Sequence, residues 1–142
     1  MSASPHAATS LDQNKQLVVR WFDEVWNRGN RDTIATLLAP GGVIYDGASV
    51  IRGPAEFEKF YDRLRAQFSD FKISPVLVLA EADLVCMHWF CSSKHNATGK
   101  TTEITGTSIV RVKDGRFVEA WQNWDAAGLA AQLSDMPQTP LF

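Results

Sequence analysis

The sequence predicts an α+β domain, and three observations predict it. Apolar residues recur at helical spacing through the first half of the chain and at a period of two from Phe71 onward. The breaks between the later β-prone runs are short, so consecutive strands should lie side by side in one antiparallel sheet. Asp114-Gly115 stands between two such runs, the pair selected by a two-residue hairpin turn that needs positive φ at both central positions. Helices first and strands after, segregated along the chain, make an α+β rather than an α/β order. At 142 residues the chain has the length of one domain.

The elements follow in order. Residues 1–10 carry neither a cationic start nor an apolar run, so they read as a disordered tail and not as a signal peptide. The domain is expected over residues 11–135, with a second tail over 136–142. Ser10-Leu-Asp-Gln13 has the form of a capping box, and Leu11, Val18, Phe22 and Val25 continue at helical spacing, joined by Trp21 and Trp26. This helix should stop at Gly29. Asn30 can cap a second, short helix bearing Ile34, Leu37 and Leu38, which Pro40 ends. Gly41-Gly42 releases the chain into a short strand, Val43-Ile44-Tyr45. Asp46-Gly47 turns it, and Val50-Ile51-Arg52 returns. Gly53-Pro54 opens a third helix, since proline suits the first helical position. Phe57, Phe60, Tyr61, Leu64 and Phe68 then form its apolar face. Strands are expected at about 72–80, 84–94, 101–113 and 116–125, and a last helix at 126–133.

Composition excludes several functions. The net charge is −2 and the basic residues are scattered, so no nucleic acid is expected as a partner. No run approaches the roughly 18 apolar residues of a membrane span. His6, His88 and His95 have no paired ligand spacing, so no metal is expected. Cys86 and Cys91, five positions apart in a strand, should point to opposite faces about 17 Å apart along the chain. That is too far for a disulfide, and two free thiols fit a cytoplasmic location. Both faces of the run from Leu84 carry bulky groups: Leu84, Cys86, His88 and Phe90 on one, Val85, Met87, Trp89 and Cys91 on the other. A sheet face that met water should be polar, so a homodimer is expected.

The last strand carries an acid among indoles. Alternation without a bulge would put Phe117, Glu119, Trp121, Asn123 and Asp125 on one face. Burial beside Trp121 and Trp124 would raise the pKa of Asp125 and suit it to proton transfer. Asp125 is equally placed to N-cap the helix that starts at Ala126. Asp46 is most simply a turn residue.

Several segments together resemble the SnoaL-like polyketide cyclase group of the nuclear transport factor-like (ketosteroid isomerase-like) superfamily. They are Phe22-x-x-x-Trp26-Asn-x-Gly29-Asn, Leu37-Leu-Ala-Pro40, Ile51-Arg-Gly53-Pro-x-x-Phe57, Phe68-Ser-Asp70 and Val110-x-Val-x-Asp-Gly115-x-x-Val-Glu119-x-Trp121-x-x-Trp124-Asp125-x-x-Gly-Leu129. The resemblance runs from about Asn14 to Leu133. It implies a cone: a curved antiparallel sheet wrapped around N-terminal helices, enclosing an apolar pocket. It also implies cofactor-free aldol cyclisation or isomerisation of a small hydrophobic carbonyl compound, with Asp125 as the acid/base. His95 matches the family's histidine, although Lys94 precedes it and two extra residues separate it from Gly99. Candidate ligand contacts within the implied cavity are Phe22, Trp26, Tyr45, Phe60, Leu64, Trp89, Trp121 and Asn123.

Two other functions fit the same fold. One is non-catalytic binding of a small hydrophobic ligand. The other is epoxide hydrolysis, which would want an Asp–Arg–Asp set in the cavity, and no second carboxylate is obviously paired with Arg111.

Overall fold

The computed structural model describes residues 10–134. Apart from Ser10, the two expected tails lie outside the described residues, as does His6. The chain runs α1 (Leu11–Trp21), a π-helical turn (Phe22–Asn27), α2 (Asp32–Leu37), β1 (Leu38–Asp46), β2 (Ser49–Arg52), α3 (Gly53–Gln67), β3 (Phe68–Glu81), β4 (Leu84–His95), β5 (Thr101–Lys113), β6 (Arg116–Trp124) and α4 (Ala126–Leu133). Helices and strands segregate as an α+β domain. The strands form a single curved sheet in the order β2-β1-β6-β5-β4-β3.

The sheet is mixed rather than wholly antiparallel. From β3 to β6 it is the expected meander, but β1 lies parallel to β6, with Ile44 opposite Ala120 and Asp46 opposite Gln122. The first strand thus joins the last one. It also starts five residues earlier than the sequence indicates, at Leu38. Pro40, Gly41 and Gly42 hide it, because a proline cannot donate to a ladder and glycine weakens a strand. The register with β6 is broken between Leu38 and Val43, so this stretch is carried as an irregularity.

Local signals place the helices. The capping box is present: Ser10 Oγ accepts from the Gln13 N–H at 3.1 Å, and Gln13 Oε1 accepts from the Ser10 N–H at 2.8 Å. The first helix does not run as one α-helix to Gly29. It widens at Phe22 into a π turn, closed by the Arg28 N–H to the Asp23 carbonyl at 2.9 Å. Asn30 does not cap α2. Arg31 occupies that position, without a side-chain cap bond. Pro54 sits in the first turn of α3 as expected. The Asp114-Gly115 turn has φ of 52° and 73°, the doubly positive pair the hairpin requires.

The core lies between the helices and the concave sheet face. Val18, Trp21, Ile34 and Phe57 meet Leu38, Val85, Met87, Val110 and Phe117 there, each large side chain contributing about 1.5–3 kcal/mol on burial. Trp21 packs edge-on against both Phe57 and Phe117, at centroid distances of 5.0 and 5.5 Å. Among the described residues no helix is long and apolar enough to cross a membrane.

Candidate active site

The helices stop short of filling the concave face, which leaves a half-open pocket with a free volume of about 90 Å³. Its walls include Phe22 and Trp26 from the π turn, Phe60 and Leu64 from α3, Phe71 and Ile73 from β3, Trp89 and Cys91 from β4, Ile104 from β5 and Leu129 from α4. The polar groups among the lining residues are Asp46, Ser93 and Gln122, with the indole N–H of Trp124 beside them.

Hydrogen bonds hold the aromatic wall. The Tyr61 hydroxyl donates to the Val25 carbonyl at 3.0 Å, and the Arg65 guanidinium donates to the Trp26 carbonyl at 2.8 Å. These carbonyls end a helix and would otherwise lack partners. Asn27 then clamps β3, accepting from the Ile73 N–H at 2.6 Å and donating to the Ile73 carbonyl at 2.9 Å. The π turn is thereby tied to α3 and to the sheet, and Trp26 is fixed in the wall.

Asp46 is the acid of this pocket. It ends β1 on the same face as Ile44, and its Oδ1 accepts from Trp124 Nε1 at 2.9 Å. Burial raises its pKa above the ordinary carboxylate value, and the indole hydrogen bond opposes part of that rise. The turn reading of Asp46 saw only its neighbour Gly47. A usable signal was present: Asp46 shares the alternation of Ile44, which a core-facing strand turns inward.

Asp125 stands elsewhere. It is exposed and N-caps α4, with Oδ1 accepting from the Gly128 N–H at 2.9 Å, and it does not line the pocket. Of its two readings the cap describes its position, and the buried acid among indoles is corrected. The cause is a bulge in β6. Val112 pairs with Phe117 but Arg111 pairs with Glu119, so one extra residue inverts the alternation beyond Val118. Phe117 and Ala120 are both buried, Gln122 and Trp124 turn into the pocket, and Trp121 and Asn123 turn away.

The other candidates divide in the same way. Phe22, Trp26, Phe60, Leu64 and Trp89 line the pocket. Tyr45, Trp121 and Asn123 lie on the opposite face of the sheet, where the Tyr45 and Trp121 rings stack with centroids 6.0 Å apart. His95 is on the inward face two positions past Ser93, but it stays at the rim. Its ring lies against Phe68 at 5.1 Å, and its Nδ1 is 2.9 Å from Thr98 Oγ1. His88 faces outward beside Thr107, with Nδ1 2.9 Å from Oγ1. Arg111 does have two carboxylate partners, Asp83 at 2.7 Å and Glu119 at 3.2 Å. Asp83 lies in the turn between β3 and β4, and none of the three residues lines the pocket, so its lining holds no Asp–Arg–Asp set.

Cys86 and Cys91 are free and on opposite faces, as their spacing implied. Burial in the pocket wall pushes the Cys91 thiol up to about 11, so it is a neutral apolar surface there. Among the described residues no three His, Cys, Asp or Glu side chains gather in a metal-binding arrangement.

The sequence profile of SnoaL-like polyketide cyclases matches residues 16–133. No curated protein matches the chain. Among solved structures it is similar to a proposed SnoaL-like polyketide cyclase from Jannaschia sp. CCS1, at 20% identity and TM-score 0.82 over 92% of this chain and 99% of that one. It is similar also to AclR, a proposed hydroxylase from Streptomyces galilaeus, at 22% identity and TM-score 0.82 over 93% and 91% of the two chains. IdmH, a proposed polyketide cyclase from Streptomyces antibioticus, matches at 25% identity and TM-score 0.76, over 85% and 98%.

Proposed function

We propose a function from the premise that this chain belongs to the SnoaL-like polyketide cyclase family: cofactor-free acid/base chemistry, an aldol cyclisation or an isomerisation, on a small hydrophobic carbonyl compound. The observation that carries the reading is Asp46, a carboxylate with a raised pKa on the wall of an otherwise apolar, aromatic pocket. Removing a proton from the carbon beside a carbonyl needs a base, and protonating the product needs an acid. One carboxylate titrating nearer neutrality serves both steps in turn. In this reading Asp46 takes the part that the family resemblance assigns to Asp125. Asp125 supports the site indirectly, since its cap holds the helix from which Leu129 reaches the pocket.

The free volume of about 90 Å³ is smaller than the ~150 Å³ of an engineered apolar cavity that takes up benzene, so a short chain or part of one ring enters and the rest of the ligand projects through the open mouth. The unbridged Cys86 and Cys91 fit a reducing, cytoplasmic setting.

The test needs no knowledge of the natural substrate. A panel of monocyclic and bicyclic ketones is screened for binding by quenching of Trp89 and Trp124 fluorescence, and the binders are followed by NMR for exchange of α-protons in D2O. The wild-type protein should accelerate exchange, with a rate that rises as Asp46 ionises and a midpoint above the ordinary ~3.9. Asp46→Asn keeps an acceptor for Trp124 but removes the base, so exchange should fall about 10²-fold or more while binding persists. The apolar lining supports a second reading, a binding protein without turnover. Ketones that bind tightly to wild-type protein with no acceleration of exchange would establish it and remove the first.

A further inference from the structure

We propose that the side-chain amide of Gln122 donates the hydrogen bond that holds the substrate's carbonyl oxygen, and that Ser108 and Trp89 fix which end of that amide faces the ligand. The inference rests on the reading of Asp46 as the base and adds the group that receives the negative charge.

Gln122 and Asp46 are register partners on adjacent strands, so their Cα atoms are separated by about one strand spacing of ~4.8 Å. Both line the pocket. Gln122 also forms the wall of a second, smaller cavity of about 20 Å³, onto which Ser108 opens. The direction of the amide is set from that inner side. The Trp89 indole can only donate, and its Nε1–H goes to Ser108 Oγ at 3.1 Å. Ser108 is 1% exposed, so its own hydroxyl proton must find an acceptor. Gln122 Oε1 is that acceptor, at 3.3 Å. The carbonyl end of the amide is thereby turned inward, which turns the NH2 end towards Asp46 and the main pocket.

The NH2 group is free to meet a ligand. Gln122 Nε2 has no hydrogen-bond partner among the described residues, and no buried side-chain polar atom there lacks a partner, so Nε2 is an accessible donor on a residue that lines the pocket. Asp46 is similarly divided: Oδ1 is held by Trp124 and Oδ2 is left for a proton. A base and a donor on register-paired residues of one apolar wall suit a ligand that presents a C–H and a C=O next to each other. The site therefore selects enolisable ketones and aldehydes over alcohols and hydrocarbons.

The chemistry balances without a further reactant. Asp46 Oδ2 takes the α-proton, the C–H electron pair forms the C=C bond of an enolate, and the carbonyl π pair moves to oxygen, where the Gln122 N–H meets it. Return of the same proton to a different carbon gives an isomer. Attack of the enolate carbon on a second carbonyl, with the proton passed from Asp46 to the new alkoxide, closes a ring.

The experiment reads the carbonyl directly. A ¹³C=O-labelled ketone from the binding panel is bound to each variant and its stretching band is measured by difference infrared spectroscopy. In wild-type protein and in Asp46→Asn the band should lie below its position in hexane. Gln122→Leu should lose that shift and lose about 10²-fold in α-proton exchange, with ketone affinity by fluorescence changed less than about threefold. Ser108→Ala leaves Gln122 in place but frees the amide to turn, and it should broaden or split the band. Identical bands in wild type and Gln122→Leu would overturn the donor, and an unchanged band in Ser108→Ala would overturn the positioning by Ser108. The failure of Asp46 as base has a separate signature: exchange that survives Asp46→Asn, whatever the band does. A panel in which no ketone binds would overturn both.

Discussion

A carboxylate oxygen that accepts a helix N–H is held at the helix end, and Asp125 is in that position, 2.9 Å from the Gly128 N–H. Asn caps nearly as well as Asp, whereas Ala cannot accept the bond. Asp125→Asn should therefore melt like the wild type, and Asp125→Ala should lose about 1 kcal/mol by denaturant titration. Turnover in Asp125→Asn should match wild type, and a large loss there would return Asp125 to the chemistry. Asp46 presents the opposite case, because its carboxylate is partly desolvated and bonded to an indole from another strand. Residue types alone could not separate the two aspartates. Each stands at the end of a strand and precedes a turn or helix, and each has tryptophan near it in sequence or space. What separates them is the face on which each side chain emerges, which depends on a single inserted residue in β6. The alternation argument that nominated Asp125, Trp121 and Asn123 was valid for an unbulged strand, and Val118 breaks it.

At the scale of the element, β4 and β5 show how a strand makes room for a pocket wall. Trp89 and Gly106 are directly opposite each other, and a Cβ on Gly106 would come within 2.7 Å of the Trp89 indole. The glycine lets the ring lie flat across β5, where its Nε1 reaches Ser108. Gly106→Ala should cost about 1–3 kcal/mol by overpacking and shift the tryptophan emission as the indole is displaced. Thermal melts and fluorescence check this together, and an unchanged melt would mean that Trp89 has somewhere else to go. The elements built on strong local signals were legible in sequence: the α1 cap, Pro54 in α3, the Asp114-Gly115 turn and the four-strand meander. The π turn and the start of β1 were not. Both depend on contacts with distant parts of the chain, the π turn on Tyr61, Arg65 and Ile73 and β1 on β6, and no local pattern encodes those.

For the whole molecule, the outer face of the sheet bears a row that crosses all six strands: Leu79, Cys86, Ile109, Trp121, Tyr45 and Val50 are successive register partners. Leu79 is 61% exposed and Val50 45%. A continuous apolar band of this kind is unusual on a monomer's surface, and a second copy related by a two-fold axis would cover it with itself. The expected homodimer should bury more than about 2,000 Å² on this face. Sedimentation should give a dimer at micromolar concentration and a monomer for Ile109→Lys. A wild-type monomer would remove the expectation. The parallel pairing of β1 with β6 has a further consequence, in time rather than in space. Trp124 and Asp46 are 78 positions apart, and the pocket's acid meets its partners only after the last strand has been made. During synthesis the Val43-Ile44-Tyr45 segment leaves the ribosome with no β6 to pair with, so non-local closure of this kind delays folding and lengthens the interval in which an apolar strand edge is open to other chains. Any chain cut short before β6 carries nearly every residue of the aromatic wall and no assembled site.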